Sequence, residues 1–471
     1  MAIIIKSGTI ITASETFQAD ILIDGEKISQ IGEDIQIPGA EIISAEGCYI
    51  MPGGVDPHVH LELPMFDTIS SDDFYSGHKA AAFGGTTCAI DFIPQLGMVL
   101  EESIDQWHAK ARDKAVIDYG FHMNITHFSS EILEAIPRLV EKGIPSIKVF
   151  TAYEHMRLKD AEIFQVLRIA RNHGVLPMIH AENGDVIDIL VNEAVRDGNL
   201  SPIWHAKCRP KWGAIEATMR GIALSQMAES PLYIVHMNAG GEVDQLAYAR
   251  EKGLPIMGET CPQYLFFTEE DIDKPDGAKF ICSPPPRDRE DNIRIWEGLS
   301  DDVIQVVGTD HCAFFLEGNK PIVYEGKEIA IAGKELGADD FRKIPNGLPG
   351  IGDRLPILWS YGVKAGKITP NQFVALTATN PAKIFGMYPQ KGTLMPGADA
   401  DIVIWDPEKE IDFGVKISHH RTDYNLYEGW QVQGYPIKVF SRGRLIVDGE
   451  NWLGAPGTGR FIKRKPFTTV I

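Results

Sequence analysis

Apolar positions along this chain change their period near residue 50. Before that point, short runs (Ile3 to Lys6, Gly8 to Thr12, Asp20 to Ile23, Lys27 to Ile31) are cut by turn pairs such as Asp24-Gly25. That is the pattern of a small β-module. From Tyr49 onward, apolar β-rich segments alternate with longer amphipathic ones. The strand-like segments are Tyr49 to Val55, Thr87 to Phe92, Tyr119 to Ile125, Ser146 to Phe150, Leu176 to His180, Leu232 to His236, Pro255 to Glu259 and Val303 to Gly308. Helical candidates between them include Asp73 to Phe83, Leu133 to Lys142, Asp160 to Asn172, Ile215 to Ala228 and Glu242 to Lys252. Eight alternations fit an α/β fold of the (β/α)8 TIM-type barrel class. A doubly wound open sheet gives the same alternation, so the count leaves both open.

Further on, Gly392 to Trp405 and Ile437 to Gly449 return to turns and strands. The economical arrangement is one small β-sandwich formed by the N- and C-terminal segments, residues 1–52 and 392–471, with a barrel of residues 53–391 inserted between them. The last stretch, Phe461 to Ile471, carries Lys463, Arg464 and Lys465 beside apolar residues. It reads either as a frayed tail or as an arm docking on a neighbouring subunit.

Composition narrows the function classes. With Lys+Arg 45 against Asp+Glu 65, the formal net charge of −20 repels phosphate backbones and anionic lipid surfaces, so neither nucleic acid nor a membrane is an expected partner. Cys48, Cys88, Cys208, Cys261, Cys282 and Cys312 lie far apart with no CxxC pair, which signals neither a disulfide framework nor a zinc knuckle. A reducing cytoplasm fits best. The first residues lack a signal-type apolar region, and no run reaches the roughly 18 apolar residues of a membrane span. A soluble cytoplasmic protein is expected.

The chemistry lies at strand ends. In Asp56-Pro57-His58-Val59-His60, the two histidines stand two apart, so an extended chain projects both to one side, where they can grip one metal. Taken alone, an HxH is more often structural. Ligand types recur, however: His180 and His236 end later strands and Asp310 follows the eighth. In a barrel these ends converge on the C-terminal face, where active sites are built. Lys148, in Ser146-Ile147-Lys148-Val149-Phe150, is a lysine inside a short β-branched and aromatic strand. Burial there lowers its pKa and frees the amine, which can capture CO2 as a carbamate able to bridge two metals. The competing reading is that Lys148 snorkels to the barrel rim or pairs with a carboxylate.

These residues carry a resemblance. Gly53-Gly54-Val55-Asp56-Pro57-His58-Val59-His60, Gly84-Gly85-Thr86-Thr87, Lys148-Val149-Phe150, His180-Ala181-Glu182-Asn183-Gly184-Asp185, Glu259-Thr260-Cys261-Pro262-Gln263-Tyr264, Thr309-Asp310-His311 and Ile344-Pro345-Asn346-Gly347 follow in order. The set resembles the dihydropyrimidinase/hydantoinase branch of the amidohydrolase superfamily over nearly the whole chain. The resemblance implies a barrel with a binuclear zinc centre. His58, His60 and Asp310 would hold the first Zn2+, His180 and His236 the second, and carboxylated Lys148 would bridge both.

It also implies the reaction, hydrolysis of a C–N bond in a cyclic amide. A hydroxide between the two metals attacks the ring carbonyl of a cyclic ureide or imide, and Asp310 passes its proton to the leaving ring nitrogen, giving an N-carbamoyl amino acid. Tyr153 matches the family tyrosine that hydrogen-bonds the developing oxyanion. Ser283 and Asn346 match positions whose backbone groups hold the substrate ring. Leu63, Met65, Phe66 and Phe150 are candidate walls for the 5-substituent, a cluster that otherwise reads as plain core. Assembly as a homotetramer is carried over from the family.

Some features depart from the pattern. Phe314 to Asp340 is longer than the usual connection and reads as a lid, an oligomer contact or a neutral insertion. Leu63-Pro64-Met65-Phe66 differs from the commoner Met-Pro-Phe-Gly form. Dihydroorotases place an arginine soon after the HxH, and Leu61-Glu62-Leu63 has none. Allantoinase is a closer rival, because its substrate also contains the hydantoin ring. Dihydropyrimidinase-like scaffold proteins share the fold but have lost the metal ligands, all of which are present here.

Overall fold

The computed structural model describes residues 2–65 and 67–468. Its centre is an eight-stranded parallel barrel: β1 (Gly54–Val59), β2 (Thr86–Ile93), β3 (Asp118–Asn124), β4 (Ser146–Phe150), β5 (Leu176–His180), β6 (Leu232–Ile234), β7 (Ile256–Thr260) and β8 (Val306–Val307), paired in chain order. Helices run between them, among them Phe74–Phe83, Leu100–Arg112, Ser130–Glu141, Asp160–His173, Lys211–Ala228, Gly240–Glu251 and Arg289–Ser300. Every residue of these eight strands is buried, which is why they read as near-continuous apolar runs. The barrel, and not the open sheet, is what the alternation encodes.

The predicted first strand, Tyr49 to Val55, is in fact divided. Tyr49–Pro52 belongs to the terminal sheet, where it pairs with Ile402–Asp412, and the barrel strand starts at Gly54. Gly53 is the joint, because a Cβ there would lie 2.0 Å from the Thr87 hydroxyl oxygen. The Asp56-to-His60 motif therefore runs through β1 instead of following it.

The predicted Val303-to-Gly308 strand shrinks to two residues, so β1 and β8 lack a full ladder at the barrel seam. Two devices close it. His60 N–H donates to His311 O at 2.7 Å, and His311 N–H donates to His58 O at 3.3 Å. Lower down, the fully buried Arg354 donates from Nη1 to Val55 O (3.0 Å) and Val307 O (2.9 Å), and from Nη2 to the Thr86 hydroxyl (3.1 Å). One guanidinium thus satisfies carbonyls that a longer eighth strand would have paired.

The chain ends build a nine-stranded mixed sheet in the order Asn451–Trp452, Arg444–Asp448, Gln431–Ser441, Ile402–Asp412, Tyr49–Pro52, Ala2–Ile11, Thr16–Asp24, Lys27–Gly32, with Glu41–Ser44 beside Ala2–Ile11. It encloses one apolar core drawn from both ends of the sequence, including Ile5, Ile21, Ile50, Ile402 and Phe440. This is the flanking β-sandwich. The two predicted N-terminal strands before Ala13 are one strand, interrupted at Ser7, whose φ of 63° marks a register shift. Lys391, 1% exposed, fastens sandwich to barrel by contacting Asp118 in β3 (2.6 Å), Asp399 (2.9 Å) and Asp401 (2.7 Å).

The tail is pinned to its own barrel. Ile462 N–H donates to Tyr119 O and Phe467 N–H to Gly174 O, both at 2.7 Å. Arg464 is buried against Phe121 O and the Ser146 hydroxyl. Residues 461–468 are therefore not frayed, and 469–471 lie outside the described residues. Among the described residues, no helix is long and apolar enough to cross a membrane.

Candidate active site

His58 and His60 leave β1 toward the C-terminal mouth and meet Asp310 from the loop after β8. Asp310 Oδ1 lies 3.0 Å from His58 Nε2 and 3.2 Å from His60 Nε2, and the three groups offer ligand atoms within 4.8 Å of one another. Across the mouth, His180 Nδ1 and His236 Nε2 are 2.9 Å apart. Lys148 stands between the two groups. Its Nζ is 3.1 Å from His58 Nε2 and 4.5 Å from the centre of the Phe92 ring. It is 3% exposed, so it does not snorkel, and it forms no ion pair with a carboxylate among the described residues. All six predicted ligands therefore converge on one floor.

The groups behind the floor fix how the imidazoles point. His58 Nδ1 sits 2.6 Å from Glu259 Oε1 and His180 Nε2 sits 2.9 Å from Glu182 Oε2. Each carboxylate draws the ring proton to its own side and leaves the other nitrogen's lone pair toward the cavity. Asp56 accepts from the Thr309 hydroxyl (2.6 Å), Thr309 N–H (3.2 Å) and His58 N–H (3.2 Å), which locks the loop carrying Asp310 onto β1.

Backbone conformation does the rest. His236 (φ 39°), Asp310 (φ 52°) and Tyr153 (φ 67°) are all left-handed. That region is uncommon for side-chain-bearing residues and is held here by the surrounding packing.

Charge states suit a cation. Burial lowers the pKa of His180, takes that of His236 far below the ordinary imidazole value, and brings His60 to about 4. A neutral imidazole keeps a lone pair that a cation can take. Burial and Lys148 also oppose protonation of His58, but Asp310 and Glu259 outweigh them and raise it. Burial would raise Asp310, yet His58 and His60 beside it hold it well below the usual carboxylate range. Burial lowers the Lys148 amine, as its place in an apolar strand predicts, against the opposing pull of Asp310 and Glu259.

Above the floor opens a cavity of about 410 Å3. Its lining includes His60, Lys148, His180, His236 and Asp310, together with the predicted Tyr153, Ser283 and Asn346. The Tyr153 ring centre lies 5.2 Å from that of His180, and burial raises its phenol pKa. Leu63, Met65 and Phe150 line the apolar side, as expected of walls; Phe66 lies outside the described residues. Pro94, Asn124, His155, Met156 and Cys312 also line it and were given no site role by the sequence reading: Asn124 is the last residue of β3, and the other four lie in turns and loops, which carry no periodic signal. Glu182 and Glu259 had no predicted role. Their signal was legible: a carboxylate placed among apolar strand ends needs a partner, and histidines were the partners at hand.

The amidohydrolase family profile matches residues 49–446. A D-hydantoinase of Geobacillus stearothermophilus is 45% identical over 476 aligned residues, covering 100% of this chain and 98% of the relative. A D-phenylhydantoinase of Escherichia coli is 41% identical, with 100% of both chains covered. The crystal structure of a dihydropyrimidinase from Brevibacillus agri superposes with a TM-score of 0.95 at 47% identity, over 100% of both chains. With relatives above 40% identity and a shared fold over the whole chain, the chain belongs to the dihydropyrimidinase/hydantoinase family of the amidohydrolase superfamily.

Proposed function

We propose that this chain is a binuclear zinc hydrolase that opens 5-substituted hydantoins and dihydropyrimidines to N-carbamoyl amino acids. One observation carries the reading: two ligand groups, His58/His60/Asp310 and His180/His236, flank a buried lysine that has no ion-pair partner among the described residues, at the foot of a cavity with an apolar wall. The residues fit the metals. Paired lone-pair nitrogens 2.9 Å apart repel one another unless a proton or a cation lies between them, and Lys148 as a carbamate would supply the anion that two divalent ions require. His58, His60 and Asp310 would hold one ion, His180 and His236 the other, and carboxylated Lys148 both. When bound, two zinc ions supply a water acidified to near-neutral pH and a Lewis acid for the ring carbonyl.

The chain's own groups do the remaining work. Asp310, kept ionised by its histidines, takes the proton of the attacking water and delivers it to the ring nitrogen as the C–N bond breaks. The Tyr153 phenol stays protonated and donates to the oxygen on which negative charge develops. Backbone groups at Ser283 and Asn346 hold the ring, which leaves the 5-substituent to Leu63, Met65 and Phe150. Six free cysteines fit a cytoplasmic enzyme. The exposed Ile189, Trp212 and Met227 on outer helices fit assembly with further copies, in this family a homotetramer.

The test is ring opening by zinc-loaded protein on dihydrouracil, 5-phenylhydantoin and allantoin, with a chelated blank. Metal-dependent opening of either of the first two is expected. Activity on allantoin alone would make it an allantoinase, inactivity on all three with zinc bound would mean that the pocket or the reaction has diverged from the family, and failure to bind zinc would favour a non-catalytic scaffold.

A further inference from the structure

The segment between Asp310 and Asn346 buries a lysine amine against main-chain carbonyls. Lys334 opens the short helix Lys334–Gly337 and is 1% exposed. Its Nζ donates to Ile281 O at 2.9 Å and to Pro345 O at 3.0 Å. A methionine would fill similar volume without the cost of burying an ammonium, so what the amine adds is two directional bonds.

Those two carbonyls lie beside the substrate-holding residues. Ile281 is two residues before Ser283, and Pro345 immediately precedes Asn346. Ile281 O also accepts from Gly347 N–H at 3.1 Å, so the two segments are stapled directly and through Lys334. From its other side the Ser283 segment is held by His205 Nε2 on Cys282 O (2.9 Å), Tyr264 on Pro284 O (2.7 Å) and Asn238 on Pro285 O (2.6 Å). The Asn346 side chain, by contrast, has a buried Oδ1 with no partner.

The segment that supplies Lys334 is itself braced on the loop that follows β1 and on the helix Leu100–Arg112. The Thr68 hydroxyl donates to Ala332 O at 2.6 Å, and Lys110 spans Glu62 O (2.9 Å) and the Tyr324 hydroxyl (3.3 Å) on the hairpin Lys320–Tyr324/Lys327–Ile331.

We propose that Lys334 is a positioning residue: it fixes the spacing between Ser283 and Asn346 and thereby sets the affinity for the substrate ring, independently of the 5-substituent. This rests on the reading that Ser283 and Asn346 hold the ring. It gives the long connection a role that is neither lid nor neutral insertion.

The experiment uses zinc-loaded full-length enzyme. In K334M, KM should rise about tenfold, and by the same factor for dihydrouracil and 5-phenylhydantoin, while kcat stays within about threefold and zinc content is unchanged. The control is D423N. Asp423 accepts from Leu316 N–H (2.7 Å) and Glu317 N–H (3.0 Å) and braces the same segment away from the cavity. That variant should lose thermal stability and keep the parent KM. If K334M does not fold, K334R carries the test: it keeps charge and donors but alters their reach, so KM should still rise. A KM within about twofold of the parent in a soluble Lys334 variant, or an equal rise in D423N, overturns the positioning role. A parent enzyme that opens neither ring defeats the reading of the site instead.

Discussion

Glu259→Gln isolates what a carboxylate behind a histidine contributes to the metal site. Glu259 is fully buried. Its Oε1 faces His58 Nδ1 (2.6 Å) and accepts from His236 N–H (3.2 Å), while Oε2 accepts from the Tyr233 hydroxyl at 3.0 Å. Glutamine keeps the shape and one acceptor oxygen, so His58 and His236 retain their partner. The amide nitrogen then faces Tyr233, whose hydroxyl must turn to accept. What disappears is the charge. A hydrogen bond to a charged group contributes about 1.5–3 kcal/mol and a neutral one about 0.5–1.5, so the His58 bond weakens by about 1–1.5 kcal/mol. His58 becomes a poorer donor to a cation by a similar amount, and 1.4 kcal/mol is tenfold.

The expected result is zinc bound about tenfold more weakly in the group formed by His58, His60 and Asp310. The His180/His236 group, whose orienting carboxylate is Glu182, should change little. The assay is competition with a chromophoric chelator in stepwise titration, with circular dichroism to verify the fold. Affinities within about twofold of the parent at both steps would refute the reasoning, and so would equal weakening of both.

Lys148→Ala should abolish activity and release zinc, and added short-chain carboxylate should restore a measurable fraction of the rate; full activity in the unsupplemented variant would remove the bridging role. Met65→Ala should change the ratio of rates across a panel of 5-substituted hydantoins, and constant ratios would take Met65 out of the pocket wall. Lys391→Met removes the cation that Asp118, Asp399 and Asp401 share between barrel and sandwich; Asp118 keeps Arg442 and Asp399 keeps Lys27, so the loss stays below the roughly 3–5 kcal/mol of a fully unpaired buried charge. Its melting temperature should fall by several degrees with zinc content intact, and a shift under about one degree would mean the cluster contributes little.

Much of this architecture could be read from the sequence because the barrel strands are buried on both faces. Double burial turns each into an apolar run, and a histidine or aspartate after such a run is conspicuous. Lys148 was legible for the same reason, as a cation where none belongs. What stayed hidden depends on contacts between distant parts of the chain. Nothing around Arg354 shows that it closes the seam between β1 and β8, and nothing around Gly53 marks the passage from sandwich to barrel except the Thr87 side chain it must clear. Lys334 reads as one charge among several in a polar stretch, and Arg464 as part of a basic tail, yet both are buried against carbonyls.

The floor's charge explains why these hidden residues matter together. The two divalent ions proposed above would bring four positive charges to the floor. Asp310 and a carbamate on Lys148 would offset two of them. The other two would be met from behind, by Glu259 on His58 and Glu182 on His180, each acting through an imidazole instead of binding directly. Arg354 would upset that balance at the seam, but the buried Asp56 lies close enough to offset it. The one charged group that closes the barrel is thus matched by a carboxylate, which would leave the metal cations as the charges that Glu259 and Glu182 are placed to meet.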